Sequence, residues 1–277
     1  MSELNGLRIL VTGIADEHSL ALHVARGLAS RGAELVCAGL GPTPHHRDLS
    51  EPGRRYLAES KERFESTVRQ ALGAQTPTIV LDASLDGSLD DAGRALQEAG
   101  LAVDGVLHAI AMDRTIRRGT SVPLLEVSRE DFLGCMDVSA YSLVAITRML
   151  VSRDLLRDGG SIVALSYLGA ERVMSHAYRN IGVAKAALER AARELAHELG
   201  ERGSVRVNAV RFSPYSASRA GGAIPDLEEA IARAAEVAPL GNATPDALAL
   251  EICHLMSPGL QVTGEIRHVD GGYHAAG

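Results

Sequence analysis

Two tyrosines and a lysine fall within one stretch, SYLGAERVMSHAYRNIGVAKAALE, from Ser166 to Glu189. Tyr167 and Tyr178 are eleven residues apart, and Lys185 follows the second by seven. Seven residues of helix make about two turns, so Tyr178 and Lys185 share a face roughly 10 Å apart along the axis. A long lysine side chain closes part of that gap. Such a pair offers a phenol and a positive charge where negative charge develops on an oxygen. A nearby ammonium also favours loss or sharing of a tyrosine proton, which otherwise leaves near pH ~10. A tyrosine and a lysine on an exposed helix mean nothing by themselves. Lysine is scarce here, however: of 28 basic residues only Lys61 and Lys185 are lysine.

The elements that must position this pair can be read from the pattern. LRILVTG (7–13), ELVCAGL (34–40), PTIVLD (77–82), VDGVLHAIA (103–111), GSIVALSY (160–167), SVRVNAV (204–210) and GEIRHVD (264–270) are apolar runs of strand length. Helical patterns lie between them. One starts after Ser19; others cover 53–73, 87–99, 128–153, 177–200, 226–236 and 244–256. Continuously apolar strands alternating with helices predict a parallel sheet covered on both faces. The expected fold class is α/β: a single Rossmann-like doubly wound domain over 1–277 with a seven-stranded parallel sheet. Ligands of such sheets bind outside the carboxyl ends of the strands.

Composition bounds the function. The chain has 277 residues, 46% hydrophobic and 23% charged, with a net charge of -7. A mildly acidic chain gives no support to a nucleic-acid binder. No apolar run reaches the roughly 18 residues of a membrane helix, and no signal peptide is read at the N-terminus, so a cytoplasmic protein is expected. Cys37, Cys135 and Cys253 are scattered and read as small apolar residues. His45 and His46 are adjacent in a loop rich in Pro and Gly. No further ligands accompany them, so they read as a solvated loop and no metal site is expected.

Strand one runs into TGIADEHSLALHVA. Gly13 suits the tight turn, small Ala15 lets backbone approach a phosphate, and Ser19 stands at a helix N-terminus suited to a pyrophosphate. A turn capped by serine is the plain alternative. Asp82 ends strand three and suits an adenine amino group or the cap of its own turn. Strand two ends in Ala38-Gly39-Leu40-Gly41, with no carboxylate for a ribose; Arg47 is the nearest basic residue. Leu40 can pack on adenine instead. The balance favours NADH over NADPH.

These pieces together resemble the enoyl-acyl carrier protein reductases, a divergent branch of the short-chain dehydrogenase/reductases. The resemblance rests on TGIADEHSLA (12–21), LDAS (81–84), DGVLHAIA (104–111), DVSAYS (137–142), SYLGAER (166–172), YRNIGVAKAALE (178–189), VRVNAV (205–210) and GEIRHVDGGY (264–273). It implies reduction of the carbon–carbon double bond of an enoyl thioester or related conjugated carbonyl, with the acyl group carried on acyl carrier protein or coenzyme A. Tyr178 would meet the substrate carbonyl, Lys185 would bind the nicotinamide ribose, and Tyr167 would line the acyl pocket. Gly13, Ala15, Ser19, Leu20, Leu40, Asp82, Ala83, Ala109, Ala111, Pro214 and Ser216 would contact the cofactor. The resemblance also implies a homotetramer on long helices, with Ala184, Ala187 and Ala191 allowing close packing.

Departures from that pattern are explicit. One extra residue lies between the two tyrosines. Ala111 stands where glycine is usual. Phe212-Ser213-Pro214-Tyr215-Ser216-Ala217 replaces Ala-Gly-Pro-Ile-x-Thr, so the nicotinamide pocket is expected to be tightened or filled, with Ser216 or Ser218 replacing the lost hydroxyl. A substrate-loop insertion is expected near 212–236. Its helix starts Asp226-Leu227-Glu228-Glu229, where basic residues usually meet an acidic carrier, which leaves Arg114, Arg117, Arg118 or Arg219 for docking. The long segment 41–76 has no functional reading. Two alternatives remain: a scaffold without redox activity that acts as a tailoring enzyme or binding protein, and a ketoacyl-type carbonyl reductase. The latter needs lysine four residues after the tyrosine, where Gly182 stands.

Overall fold

The computed structural model describes residues 4–276, apart from 118–119, 175–177, 219–221, 223 and 225. Seven strands form one parallel sheet: β1 (Arg8–Thr12), β2 (Glu34–Gly39), β3 (Thr78–Val80), β4 (Val103–His108), β7 (Leu156–Tyr167), β8 (Arg206–Phe212) and β9 (Ile266–Val269). Their spatial order is β3-β2-β1-β4-β7-β8-β9. The strand period of two divides the core. Ile9 and Val11 of β1 face one cluster with Leu22, Leu28 and Ile252. Leu10 faces the other, with Leu96, Ile146 and Leu188. Helices α1 (Leu20–Ser30), α2 (Glu51–Leu72) and α8 (Pro245–Met256) cover the first face, and α3 (Asp86–Glu98), α5 (Ser142–Val151) and α6 (Arg179–Gly203) the second. The expected single α/β domain with a seven-stranded parallel sheet is what the chain forms.

Helix starts follow local chemistry. Ser50 Oγ accepts from the Gly53 N–H at 3.3 Å, Ser128 Oγ from Asp131 N–H at 3.1 Å, and Thr244 Oγ1 from Ala247 N–H at 3.2 Å. These caps satisfy donors that a helix leaves open.

The expected helix over 128–153 is broken. It comprises α4 (Arg129–Met136), a π turn at Asp137–Tyr141, and α5. Ser142 Oγ donates to the Val138 carbonyl at 2.7 Å and faces His108 Nε2 at 2.8 Å. Ser139 Oγ accepts from Met112 N–H at 2.9 Å and donates to Met112 O at 3.0 Å. The widened turn thus points two serines at the chain leaving β4. By length and composition Arg129–Val151 is apolar enough to cross a membrane, with an 18-residue window of mean hydropathy 1.3, but 56% of that window is buried inside the fold, as in a core helix.

The helix expected over 226–236 is α7 (Leu227–Val237). Smaller elements were not expected: the hairpin strands β5 (Ile116–Arg117) and β6 (Thr120–Ser121), and the short α9 (Tyr273–Ala276). One packing expectation fails: Ala184 is 0% exposed within the chain's own core. Ala187 and Ala191 are half-buried.

Candidate active site

Chain order reverses between β1 and β4, so the sheet opens a crevice at their carboxyl ends. A cleft of about 940 Å³ occupies it and continues past the ends of β2, β3, β7 and β8. Of the residues expected from sequence, Gly13, Ala15, Ser19, Leu20, Leu40, Asp82, Ala83, Ala109, Ala111, Tyr167, Tyr178, Lys185 and Pro214 line it. Ser216 does not; Ser218 does.

The turn after β1 is built for close approach. Gly13 has φ +88°, and a Cβ there would lie 2.1 Å from the Ala109 carbonyl oxygen. Thr12 Oγ1 donates to Leu107 O at 3.0 Å and accepts from Ala109 N–H at 3.3 Å, which holds β1 and β4 together. Ser19 is 5% exposed and its hydroxyl faces its own loop. It accepts from Ala15 and Asp16 N–H, both at 3.0 Å, and donates to Asp16 Oδ1 at 3.1 Å. Its side chain therefore caps the turn, the plainer of the two readings. The N-terminus of α1 still opens on the cleft at Leu20, with the N–H donors and dipole that suit a pyrophosphate.

Tyr178 immediately precedes α6 and Lys185 lies two turns in. Tyr167, at the end of β7, donates its hydroxyl to the Tyr178 carbonyl at 2.9 Å, and the two rings are 5.2 Å apart. That contact fixes the second tyrosine from below. Burial, with Cys135 and Asp113 nearby, pushes the Tyr178 hydroxyl well above its ordinary pKa. The expectation that lysine loosens this proton fails, because burial holds it on; Tyr178 is a neutral donor. Burial lowers Lys185 to about 8, with Cys135 and Glu189 opposing. Its Nζ donates to the Ile110 carbonyl at 3.1 Å. His108 is driven to about 3 by burial and then by Lys185, and is neutral.

At the other end of the cleft, the two histidines are not a solvated loop. His46 Nε2 meets Asp82 Oδ2 at 3.0 Å and His45 Nε2 meets Asp91 Oδ2 at 2.8 Å. Asp82 Oδ1 takes the Ser84 hydroxyl at 2.6 Å and its N–H at 3.0 Å. Asp82 therefore caps its own turn and anchors the 41–50 loop while lining the cleft. The long segment 41–76 gains a structural role: Phe64 of α2 packs on Gly39, and Tyr56, Ser60 and Arg63 form a wall. Among the described residues no group of His, Cys, Asp or Glu is arranged to hold a metal.

Beyond β8, Phe212 is 5% exposed and sits in the core edge-on to Tyr215, at 6.4 Å between centroids. Its bulk is spent inward, and the cleft stays open beside it rather than filled. Tyr215 Oη donates to the His18 carbonyl at 3.1 Å, which ties this loop to the first turn. Arg114 is exposed beside Glu130 at 3.8 Å. Arg118 and Arg219 lie outside the described residues.

Sequence reasoning missed two features. Asp113 lines the cleft near Tyr178, and its only sequence signal is its position after strand four. Arg211 of β8 is buried between Glu189 of α6, at 2.7 and 2.8 Å, and Glu171 of the SYLGAER segment. Ser166 Oγ also donates to Glu189 Oε1 at 2.7 Å. These charges lock α6, and so Lys185, to the sheet.

The sequence model described as enoyl-(acyl carrier protein) reductase matches residues 13–274. The chain belongs to the enoyl-(acyl carrier protein) reductase family. It is 35% identical over 284 residues to the enoyl-[acyl-carrier-protein] reductase [NADH] 1 of Rhizobium meliloti, covering 99% of this chain and 92% of that one. The crystal structure of the NADH enoyl reductase from Aquifex aeolicus superposes with TM-score 0.84 at 31% identity, covering 99% of each chain. The Bacillus cereus enoyl reductase, crystallised with NADP+ and an indole naphthyridinone, gives TM-score 0.85 at 29% identity over 100% of both chains. These relatives cover 99–100% of the chain.

Proposed function

We propose that the protein reduces the double bond of an α,β-unsaturated acyl thioester with NADH. One observation carries the reading: Tyr178 and Lys185, seven residues apart, open on the same cleft as the Gly13 turn and the α1 N-terminus. The relatives from R. meliloti and A. aeolicus are named for NADH, which favours it over NADPH here. The residues present fit such a cofactor, because the Gly13 turn and the α1 N-terminus line the same cleft as Tyr178 and Lys185.

When bound, the nicotinamide supplies a hydride to the substrate β-carbon. The chain's own residues do the rest. Gly13, Ala15 and the α1 N-terminus at Ser19 and Leu20 hold the pyrophosphate. Leu40, Asp82 and Ala83 border the adenosine, while Ala109, Ala111 and Pro214 flank the nicotinamide side. Ser218 rather than Ser216 offers a hydroxyl there. Tyr178 donates a hydrogen bond to the oxygen that becomes an enolate, a task its raised pKa suits because the proton stays on. Lys185 contributes positive charge and the ribose contact. Tyr167 holds Tyr178 and borders the acyl group. The α-carbon then takes a proton from water. The acyl group would be carried on a protein or on coenzyme A, and the segment 212–236 would act as the substrate loop. A homotetramer is part of the proposal, built on the exposed apolar residues Leu133, Tyr141 and Val183 of the helices.

The test is titration with NADH and NADPH, followed by cofactor oxidation with hexenoyl-coenzyme A. Turnover that falls by about two orders of magnitude or more in Tyr178→Phe supports the assignment. Binding of neither nucleotide overturns it.

A further inference from the structure

Near Tyr178 two buried oxygen acceptors have no donor among the described residues. Asp113 follows β4 and lines the cleft. Its Oδ1 takes the Thr115 N–H at 2.8 Å and hydroxyl at 2.7 Å, and lies 3.5 Å from Asn180 Nδ2. Its Oδ2 is shut from solvent and has no donor among the described residues. Asn180 is 2% exposed, and its Oδ1 is in the same condition. Nearby cations do not answer them: Lys185 Nζ is directed to Ile110 O, and Arg114 is exposed beside Glu130.

Buried acceptors in native proteins are almost always satisfied, and an exception calls for a ligand, a water or a chemical task. An apolar cluster of Ala111, Ile116, Cys135, Ile181 and the two tyrosines packs beside them. An unsubstituted acyl chain would need only that lining. A carboxylate beside it would then be a pure desolvation penalty.

We propose that the acyl substrate carries a hydrogen-bond donor, a hydroxyl or amino group beside the conjugated double bond, received by Asp113 Oδ2, with Asn180 positioning that carboxylate. The donor group is held and not transformed. Saturated thioester product therefore keeps it, and a preceding reaction must have installed it. This inference rests on the enoyl thioester reading above.

The test compares kcat/KM for hexenoyl-coenzyme A and its γ-hydroxy and γ-amino counterparts, each with NADH. The donor-bearing substrates are expected to win by about ten- to hundredfold, the factor that a hydrogen bond to a charged group supplies. In Asp113→Ala and Asn180→Leu that ratio falls towards one, and Asp113→Asn retains an intermediate preference for the hydroxyl. A ratio taken on one preparation is unmoved by a partly unfolded fraction, so loss of stability does not mimic the effect. An unsubstituted chain that is equal or better overturns the inference and leaves the enoyl reductase reading standing. So does a donor preference that Asp113→Ala leaves intact. Turnover of none of the three overturns the enoyl thioester reading and this inference with it.

Discussion

Lys185 pulls stability and activity in opposite directions across one pH range. Its pKa falls from the ordinary 10.5 to about 8 because burial penalises the cation. Between those values the unfolded chain holds a proton that the folded chain has released. Stability from this group therefore rises with pH over that window, and below about 8 the full cost of burying the charge is present. Catalysis needs the charge, so kcat/KM should fall as pH passes about 8. Lys185→Arg, charged throughout, should move that limb out of the measurable range. Paired pH–rate and urea-midpoint series read both signs. Gly13 yields a second expectation. Gly13→Ala sets a Cβ against Ala109 O at a positive φ, so it should cost about 1–3 kcal/mol from the backbone alone. Weaker NADH binding should accompany the loss, seen by fluorescence titration beside urea unfolding.

Elements hold these residues through contacts that differ in how far they reach. Arg211 joins β8 to α6 through Glu189, with both side chains nearly fully buried. Removing one partner leaves a buried charge, so Arg211→Met should cost about 3–5 kcal/mol, and Glu189→Leu added to it should recover part of that. A double-mutant cycle in urea measures the coupling. His46 joins the 41–50 loop to Asp82, and His46→Ala should raise the KM for NADH with kcat little changed. The alternation of strands and helices was legible because apolar period is a local signal. Tyr178 and Lys185 were legible for the same reason, being seven residues apart on one helix. The π turn was not, since it depends on Ser139 and Ser142 meeting Met112 and His108 across the fold. The histidine loop escaped likewise, its partners Asp82 and Asp91 being some forty residues away. Asp113 had no signal beyond its place after strand four, because Asn180 reaches it only in the fold.

At the scale of the whole molecule, the proposed homotetramer is tested in solution. Light scattering should give four times the chain mass, and Leu133→Glu should yield smaller species if the helix faces carry the contact. The sheet order has a different consequence, one of timing. Ile9 pairs with Leu35 on one flank and with Gly105 on the other. A chain emerging from the ribosome can join β1 to β2 early, while the second flank of β1 waits for β4. During that interval an apolar strand edge stands bare, the condition in which nascent chains stick to one another or are captured by chaperones. Dilute, cool conditions should then raise the refolding yield, because they slow collisions between chains while that flank awaits its neighbour.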